Sequence, residues 1–478
     1  MKSILLFVLL ILLAAAPVFA AELKAGAATS NITPPIGEEI IGGFVPYPSK
    51  NIHDELHARC LVLDDGETKL AVVVCDLLGV HRIVSDEARR LIAEKSGIPK
   101  SHVLITGTHT HSASSALGKQ RLQESPTLDD YQKFVAQRIA DGVARAVFNS
   151  RPAQIAFGKV DVPEHVFNRR WHMKPGTAPV NPFGEVDQVK MNPPAGNANL
   201  VEPAGPTDPT VSFFSVKDAD GRHISLFATY SLHYVGGVGK DDISADYYGM
   251  FCERLKSLLT KDEPQDIAAD RPPFVALLAN GTSGDINNIN FRTPRAAKKP
   301  YEQMKFVAHD VAAKVQGALA GLKYENNISL AAAYCELPIA WRKPTEEQTK
   351  WAAETIAAGP KTKQDLSYIY AQRTQSLAEY KEATVNLPLQ VFRIGDVCIG
   401  TMPCEVFCEI GLEFKSRSQQ QPAFLMSLAH GYYGYLPSPR HFRLGGYETW
   451  IGTNRLEPNA SDKMLNALVE MSGEVKKK

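Results

Sequence analysis

Four apolar, β-rich runs in this chain each empty into a short polar segment, and this alternation constrains the fold more than any other feature. Residues 102–106 lead into 107–112, 223–230 into 231–237, and 274–279 into 280–288. A hairpin over 390–401, turning at Gly395-Asp396, delivers Met402-Pro403-Cys404-Glu405. Between such runs the apolar period lengthens from two to 3.6 residues. Residues 84–96 read as an amphipathic helix stopped by Gly97 and Pro99, and a second helix is expected over about 129–148. Residues 58–75 form a further hairpin around Asp64-Asp65-Gly66, and 211–217 is another strand. Strands interleaved with helices imply an α/β fold, here a large twisted mixed β-sheet flanked by helices. Two polar helices, about 344–358 and 363–384, read as a surface insertion. Residues 173–210, rich in Pro, Gly and Asn, follow neither period and are expected to form a long loop or lid. No repeat, low-complexity tract or linker divides the chain, so one domain over 21–478 is expected.

The amino terminus has the layout of an export signal. Met1-Lys2-Ser3 is followed by the apolar run 4–13, and Val18-Phe19-Ala20 places the cut after Ala20. No Cys follows that run, which argues against lipid attachment. No later segment approaches the roughly 20 apolar residues of a spanning helix, so the mature protein is expected in a periplasm or outside the cell. Lys+Arg and Asp+Glu both number 52, leaving no net field to draw nucleic acid or an anionic membrane. The 7 Cys are an odd number, so at least one thiol has no partner within the chain, and no Cys-x-x-Cys pair suggests a zinc knuckle.

The polar segments supply His109 and His111, His233, Asp285 with Asn287 and Asn288, and Glu405. In open α/β sheets, ligands bind beyond the carboxyl ends of the strands. Singly, each residue has a structural explanation: a hydrogen-bonded strand-end His, a first-turn Glu near a helix dipole, a turn followed by an N-cap. Together, a His-x-His pair, a distant His and a distant Glu offer the nitrogen and carboxylate donors of a catalytic zinc that keeps one position open for water. Both readings stand on the residues alone. Trp171, His172, His430 and Tyr432 are candidate pocket-lining residues, and Asp54 and Asp76 candidate pocket-floor residues without an assigned role. His53 and His57 lack clustered acidic partners and are not expected to bind a second metal. Cys404 and Cys408, four residues apart, read as packing residues.

Six motifs in a fixed order resemble the neutral, non-lysosomal ceramidases in their N-terminal catalytic domain. They are 108–112 (Thr-His-Thr-His-Ser), 167–170 (Phe-Asn-Arg-Arg), 243–247 (Ile-Ser-Ala-Asp-Tyr), 284–288 (Gly-Asp-Ile-Asn-Asn), 403–405 (Pro-Cys-Glu) and Gly434-Tyr435. The resemblance extends from Ala25 to about Asn459. It implies zinc held by His109, His233, Glu405 and Tyr435, with His111 transferring a proton or orienting water. It also implies Arg169 near the developing oxyanion and Tyr447 as a second active-site tyrosine. Asp285 and Asp246 are candidate acceptors for the remaining N–H groups of the ligand imidazoles. The implied reaction is hydrolysis of an N-acyl amide, ceramide or a related lipid, by zinc-activated water.

One position departs from the family pattern. Ceramidases carry Gly-Asp-Val-Ser-Pro-Asn, and Asn287 stands where that serine is. Asparagine cannot accept an acyl group in this setting, and Ser283 reads as a turn hydroxyl. Zinc-hydroxide chemistry needs no serine, so hydrolysis is still expected, but a preference for ceramide does not follow. An esterase, a glycan or glycolipid hydrolase, and a catalytically silent binding protein are the other outcomes the scaffold allows. The chain ends near the end of the catalytic domain and is not expected to carry the family's immunoglobulin-like C-terminal domain.

Overall fold

The computed structural model describes residues 22–118, 127–261 and 271–477. The expected export signal lies outside them. The larger sheet contains β1 (Lys24–Asn31), β2 (His57–Asp64), β3 (Lys69–Cys75), β4 (Val103–Gly107), β5 (Arg151–Asp161), β6 (Thr210–Asp218), β7 (His223–Tyr230) and β8 (Val275–Asn280). Their spatial order is β8-β7-β6-β5-β1-β2-β3-β4. Neighbours are antiparallel except at the two edges, where β7 pairs with β8 and β3 with β4 in parallel. A smaller sheet, β9 (Leu330–Ala340), β10 (Thr384–Ile394), β11 (Val397–Thr401) and β12 (Ala423–Met426), also ends in a parallel pair, β11 with β12.

Parallel neighbours need a crossover, which helices supply. The helices are α1 (Arg82–Ser96), α2 (Asp130–Phe148), α3 (Asp246–Leu259), α4 (Glu302–Gly317), α5 (Glu346–Ala358), α6 (Leu366–Glu379), α7 (Cys408–Arg417), α8 (Pro439–Leu444) and α9 (Ala460–Lys477). Helix α1 joins β3 to β4, α3 lies between β7 and β8, and α7 joins β11 to β12. The expected stop of α1 is a left-handed Gly97 at φ 68°, whose N–H bonds Ala93 O. A capping box between Asp129 and Gln132 starts α2.

Side-chain alternation divides the large sheet between two faces, one packed on helices in two clusters and the other on the small sheet. Val62, Val73 and Ile105 face α1 and α2, where they meet Ile92, Val135 and Ile139. Leu226 and Leu278 face α3 and α4, where they meet Phe251 and Val307. The intervening residues, among them Leu61, Val74, Phe227 and Leu277, face the small sheet and meet Phe392, Ile399, Phe424 and Met426. Helix α9 covers the outer side of the small sheet with Met464 and Leu468. The large mixed sheet is present, but helices flank only one of its faces; a second sheet covers the other. Burial on both faces explains why β3 and β8 read as continuous apolar runs instead of alternating ones.

Residues 173–210 are built into the structure. Arg170–Met173 pairs with both Val189–Met191 and Leu200–Pro203. Helices α5 and α6 pack on each other as an insertion between β9 and β10. All seven cysteines are free, so no disulfide is formed. Among the described residues no helix is long and apolar enough to cross a membrane.

Two stability predictions follow from this packing. Phe227 stacks on Phe214 at 4.8 Å and meets Phe424 across the inter-sheet core at 6.3 Å. Phe227→Ala should lower the free energy of unfolding by about 3–5 kcal/mol, read by denaturant titration. Glu409 on α7 accepts hydrogen bonds from Ser438 and Arg440 at the start of α8. Burial alone would raise its pKa, but His441, Arg440 and Ser438 together hold it down at about 2. A carboxylate depressed in the folded state stabilises the fold above its ordinary value, about 4.5, and loses that contribution as pH falls toward 2. Glu409→Gln should therefore be less stable than the parent at pH 7, and the two unfolding curves should converge near pH 2.

Candidate metal centre

The carboxyl ends of the three parallel pairs are tied together by hydrogen bonds from the loops that leave them. Thr106 Oγ1 at the end of β4 donates to Ser427 O just past β12 at 2.8 Å, and His430 N donates to Ile105 O at 2.9 Å. Ser427 N bonds Asn280 O at the end of β8, and Asn280 Nδ2 bonds Thr108 O, both at 3.2 Å. Gly281 N returns to Tyr230 O at the end of β7, and Ala429 N bonds Met402 O beyond β11. Every polar segment singled out in the sequence therefore opens onto one place.

His109 follows β4 with φ at 77°, a conformation costly for a residue with a Cβ, and its Nδ1 lies 2.7 Å from Leu78 O. His233 follows β7, and its Nδ1 lies 3.0 Å from Ser283 O in the loop after β8. A carbonyl oxygen only accepts, so both Nδ1 atoms donate a proton and each ring turns its Nε2 toward the centre. Glu405 opens a two-residue strand paired in parallel with Tyr435–Leu436, and Glu405 sits opposite Tyr435. Its Oε2 is 3.1 Å from His109 Nε2 and 3.8 Å from His233 Nε2. Its Oε1 accepts a 2.7 Å hydrogen bond from Tyr432.

His233 Nε2 and Glu405 Oε2 are buried and have no hydrogen-bond partner. The His233 lone pair and a carboxylate oxygen, buried and facing each other, repel unless a cation lies between them. Protonation of His233 is not the remedy. Burial holds its pKa well below the ordinary value, and Arg169, His109 and His111 push it further down. Glu405 stays ionised: burial would raise its pKa, but His109, Tyr435 and Tyr432 outweigh this and lower it. Donors bound tetrahedrally at about 2.0–2.2 Å stand roughly 3.3–3.5 Å apart, close to the separations here. The donor set fits zinc. His111 approaches the same point, with its Nε2 3.2 Å from His109 Nε2 and its ring stacked on Tyr234 at 3.7 Å. One nitrogen from each of the three histidines falls within a 4.8 Å cluster.

The opposite wall is cationic. Arg169 Nε donates to Glu448 Oε1 at 2.9 Å, and Arg170 donates to Glu448 Oε2 at 2.5 Å and to Gly445 O at 2.6 Å. The Arg169 guanidinium lies over the Tyr435 ring at 5.3 Å, and its Nη2 is buried without a partner. Tyr447 meets Tyr435 edge-on at 5.6 Å. Burial raises the Tyr435 pKa well above its ordinary value, with Arg169 opposing. Glu448 carries no signal in the sequence beyond its place next to Tyr447.

Several candidates prove to be braces. Backbone carbonyls occupy the imidazole N–H positions offered to Asp285 and Asp246. Asp285 instead accepts from Cys408 N at 2.8 Å and from Asn168 Nδ2 at 2.7 Å. Asp246 accepts from Val235 N and Gly236 N, both at 2.9 Å, and so shapes the loop after His233. His430 is buried between Ser85 and Gln390. Trp171 is buried and donates to Asn168 O, and His172 lies beside it in the three-stranded sheet. His53 stacks on Tyr301 and bonds Asp54, which accepts from Ala245 N. Asp76 accepts from His57 N and Arg59. Asn287 Nδ2 bonds Asn192 Oδ1 at 3.0 Å, and Ser283 Oγ bonds Asn280 Oδ1 at 2.7 Å.

The fold has solved relatives. A ceramidase in complex with C2 superposes with a TM-score of 0.69 at 16% identity, covering 96% of this chain and 76% of that one. Neutral ceramidase from Pseudomonas aeruginosa gives 0.67 at 16% identity, covering 96% and 75%. At this identity the likeness establishes architecture. The model of the N-terminal part of neutral/alkaline non-lysosomal ceramidases matches residues 23–327. His109, His111, Arg169 and His233 lie inside that match, while Glu405, Tyr435, Tyr447 and Glu448 reach the centre from beyond it. The chain belongs to the neutral/alkaline non-lysosomal ceramidase family.

Proposed function

We propose that this chain is an exported zinc-dependent hydrolase, a single catalytic domain over 21–478, that cleaves the amide of ceramide or a related N-acyl lipid. The observation that carries this reading is the dry meeting of His109 Nε2, His233 Nε2 and Glu405 Oε2, the last two without hydrogen-bond partners. His109, His233, Glu405 and Tyr435 would hold the ion. Bound there, zinc would supply a Lewis acid and bring the pKa of water down to near neutrality.

The remaining steps belong to side chains. Leu78 O and Ser283 O fix the tautomer and aim of the two ligand imidazoles, and Tyr432 steadies the Glu405 carboxylate. His111, held flat against Tyr234, takes the proton of the attacking water and returns it to the leaving nitrogen. Arg169 Nη2 and the Tyr447 hydroxyl donate to the carbonyl oxygen as it gains charge. Glu448 holds Arg169 in place before substrate arrives. With Asn at 287, no side chain in that loop position forms an acyl intermediate, so water attacks the carbonyl carbon directly.

A polar cleft of about 450 Å³, lined by Tyr234, Asn192 and Asn287, adjoins His111. This favours, as a second reading, an ester or glycolipid substrate with a hydroxyl-rich headgroup over a simple sphingosine base.

His109→Ala and Glu405→Ala should each lose zinc, by elemental analysis, together with release of fatty acid from a fluorogenic N-acyl sphingosine. If both variants keep stoichiometric zinc, the ligand assignment is wrong. His111→Ala should keep its zinc while turnover falls about 10²- to 10⁴-fold; a fall in its zinc content would make His111 a ligand instead. Chelation should abolish turnover, and added zinc should restore it. Ester cleavage without amide cleavage in the same panel would select the second reading.

A further inference from the structure

Loop 41–46 and one side of α6 enclose a groove of about 580 Å³. Ile369, Arg373 and Leu377 recur along α6 at helical spacing and face Ile41, Phe44 and Val45 across it. Phe44 and Val45 are 39% and 47% exposed, an apolar rim left open to solvent. The groove adjoins the metal centre. A Cβ on Gly42 would fall 2.0 Å from His111 O, so the loop lies directly on the His111 backbone. Ile41 packs with Leu78 and with Tyr432, the donor to Glu405, and the Phe44 ring meets Tyr447 at 6.0 Å.

Its charge does not suit a neutral lipid alone. The Arg373 guanidinium lies over the rings of Phe44 and Tyr370, at 5.4 and 5.0 Å. Among the described residues it has no carboxylate partner, and neither does Lys363 at the exposed rim. Asp365 also lines the groove, but its carboxylate caps α6, accepting from Tyr368 N and Lys361 N. An arginine stacked on rings keeps its planar N–H edge available for an anion.

We propose that this groove binds a single-chain anionic amphiphile. Its hydrocarbon lies against Ile41, Val45, Ile369 and Leu377, and its phosphate or carboxylate meets Arg373 and Lys363. As a statement about substrate, this rests on the hydrolase reading above and narrows it to acylated compounds bearing a negative charge.

The test is isothermal titration calorimetry on the zinc-loaded full-length protein, with amphiphiles below their micelle-forming concentrations. Dodecyl phosphate should bind at least tenfold more tightly than tetraethylene glycol dodecyl ether, and inorganic phosphate should bind far more weakly than dodecyl phosphate. In the Arg373→Gln, Lys363→Gln double variant the tenfold preference should vanish while affinity for the neutral ether is unchanged. Val45→Ser with Ile369→Ser should weaken both amphiphiles. Equal affinities in the parent protein, a preference that survives the double variant, or inorganic phosphate binding as tightly as dodecyl phosphate would overturn the proposal. Binding is read without turnover, so the two ideas fail separately. A protein that hydrolyses nothing but shows this preference refutes the hydrolase reading and keeps the groove. Zinc-dependent hydrolysis with equal binding refutes the groove alone.

Discussion

The hydrogen bonds that lace the carboxyl ends of the parallel strand pairs are the constraint on which the site depends. Each pair on its own would only supply a loop. Thr106 on Ser427, Ser427 on Asn280 and Asn280 on Thr108 fix those loops relative to one another before any ligand is present. Backbone groups near a buried loop must find partners, and here they find them in each other and in the side chains of Thr106 and Asn280. The price is local strain. His109, Leu428 and His430 all adopt positive φ, and all three lie on the laced segments. Strain of this kind persists only where the surroundings over-determine it, and the two packed sheets beneath provide that rigidity.

The same preorganisation explains the buried charges. Glu448 is fully buried between Arg169 and Arg170, an arrangement that is expensive to desolvate and seldom chosen for stability alone. Its consequence is directional: Nε of Arg169 is committed to Glu448, and Nη2 is left buried without a hydrogen-bond partner. The centre thus holds unpartnered acceptors on one side and an unpartnered donor on the other. Such an arrangement is unfavourable when empty and favourable around a cation and a developing oxyanion.

Much of this was legible in the sequence, and the limits were physical. Apolar runs located the strands, because burial on both faces demands them, and polar residues at their ends marked where the loops would open. The second sheet was not legible, since a strand buried against helices and one buried against another sheet share the same composition. The order within 173–210 was hidden for the opposite reason: its short strands pair through backbone, with few apolar side chains to betray them. The expected carboxylate partners for the imidazoles failed because carbonyls of Leu78 and Ser283 do that work, and a carbonyl leaves no mark in a sequence. Tyr435 entered only through family resemblance. Its place opposite Glu405 is set by a two-residue parallel bridge, too short for any periodicity to signal.

Substrate choice therefore has to be argued from what surrounds the centre. In the proposed reaction the donor set and Arg169 act on a carbonyl group and its leaving atom, which amides and esters share. Discrimination must come from the two walls. On one side Asn192 and Asn287 present paired amides, which are hydrogen-bonding groups without charge. On the other, α6 presents Arg373 between aromatic rings, where lower local dielectric strengthens any anion contact relative to one in open water. Those walls come from separate parts of the chain, one from the three-stranded sheet region and the loop after β8, the other from the insertion between β9 and β10. Either can change without disturbing the strand ends. A family fold can thus keep its chemistry while the compound it acts on is set by segments that the hydrogen-bonded centre does not need.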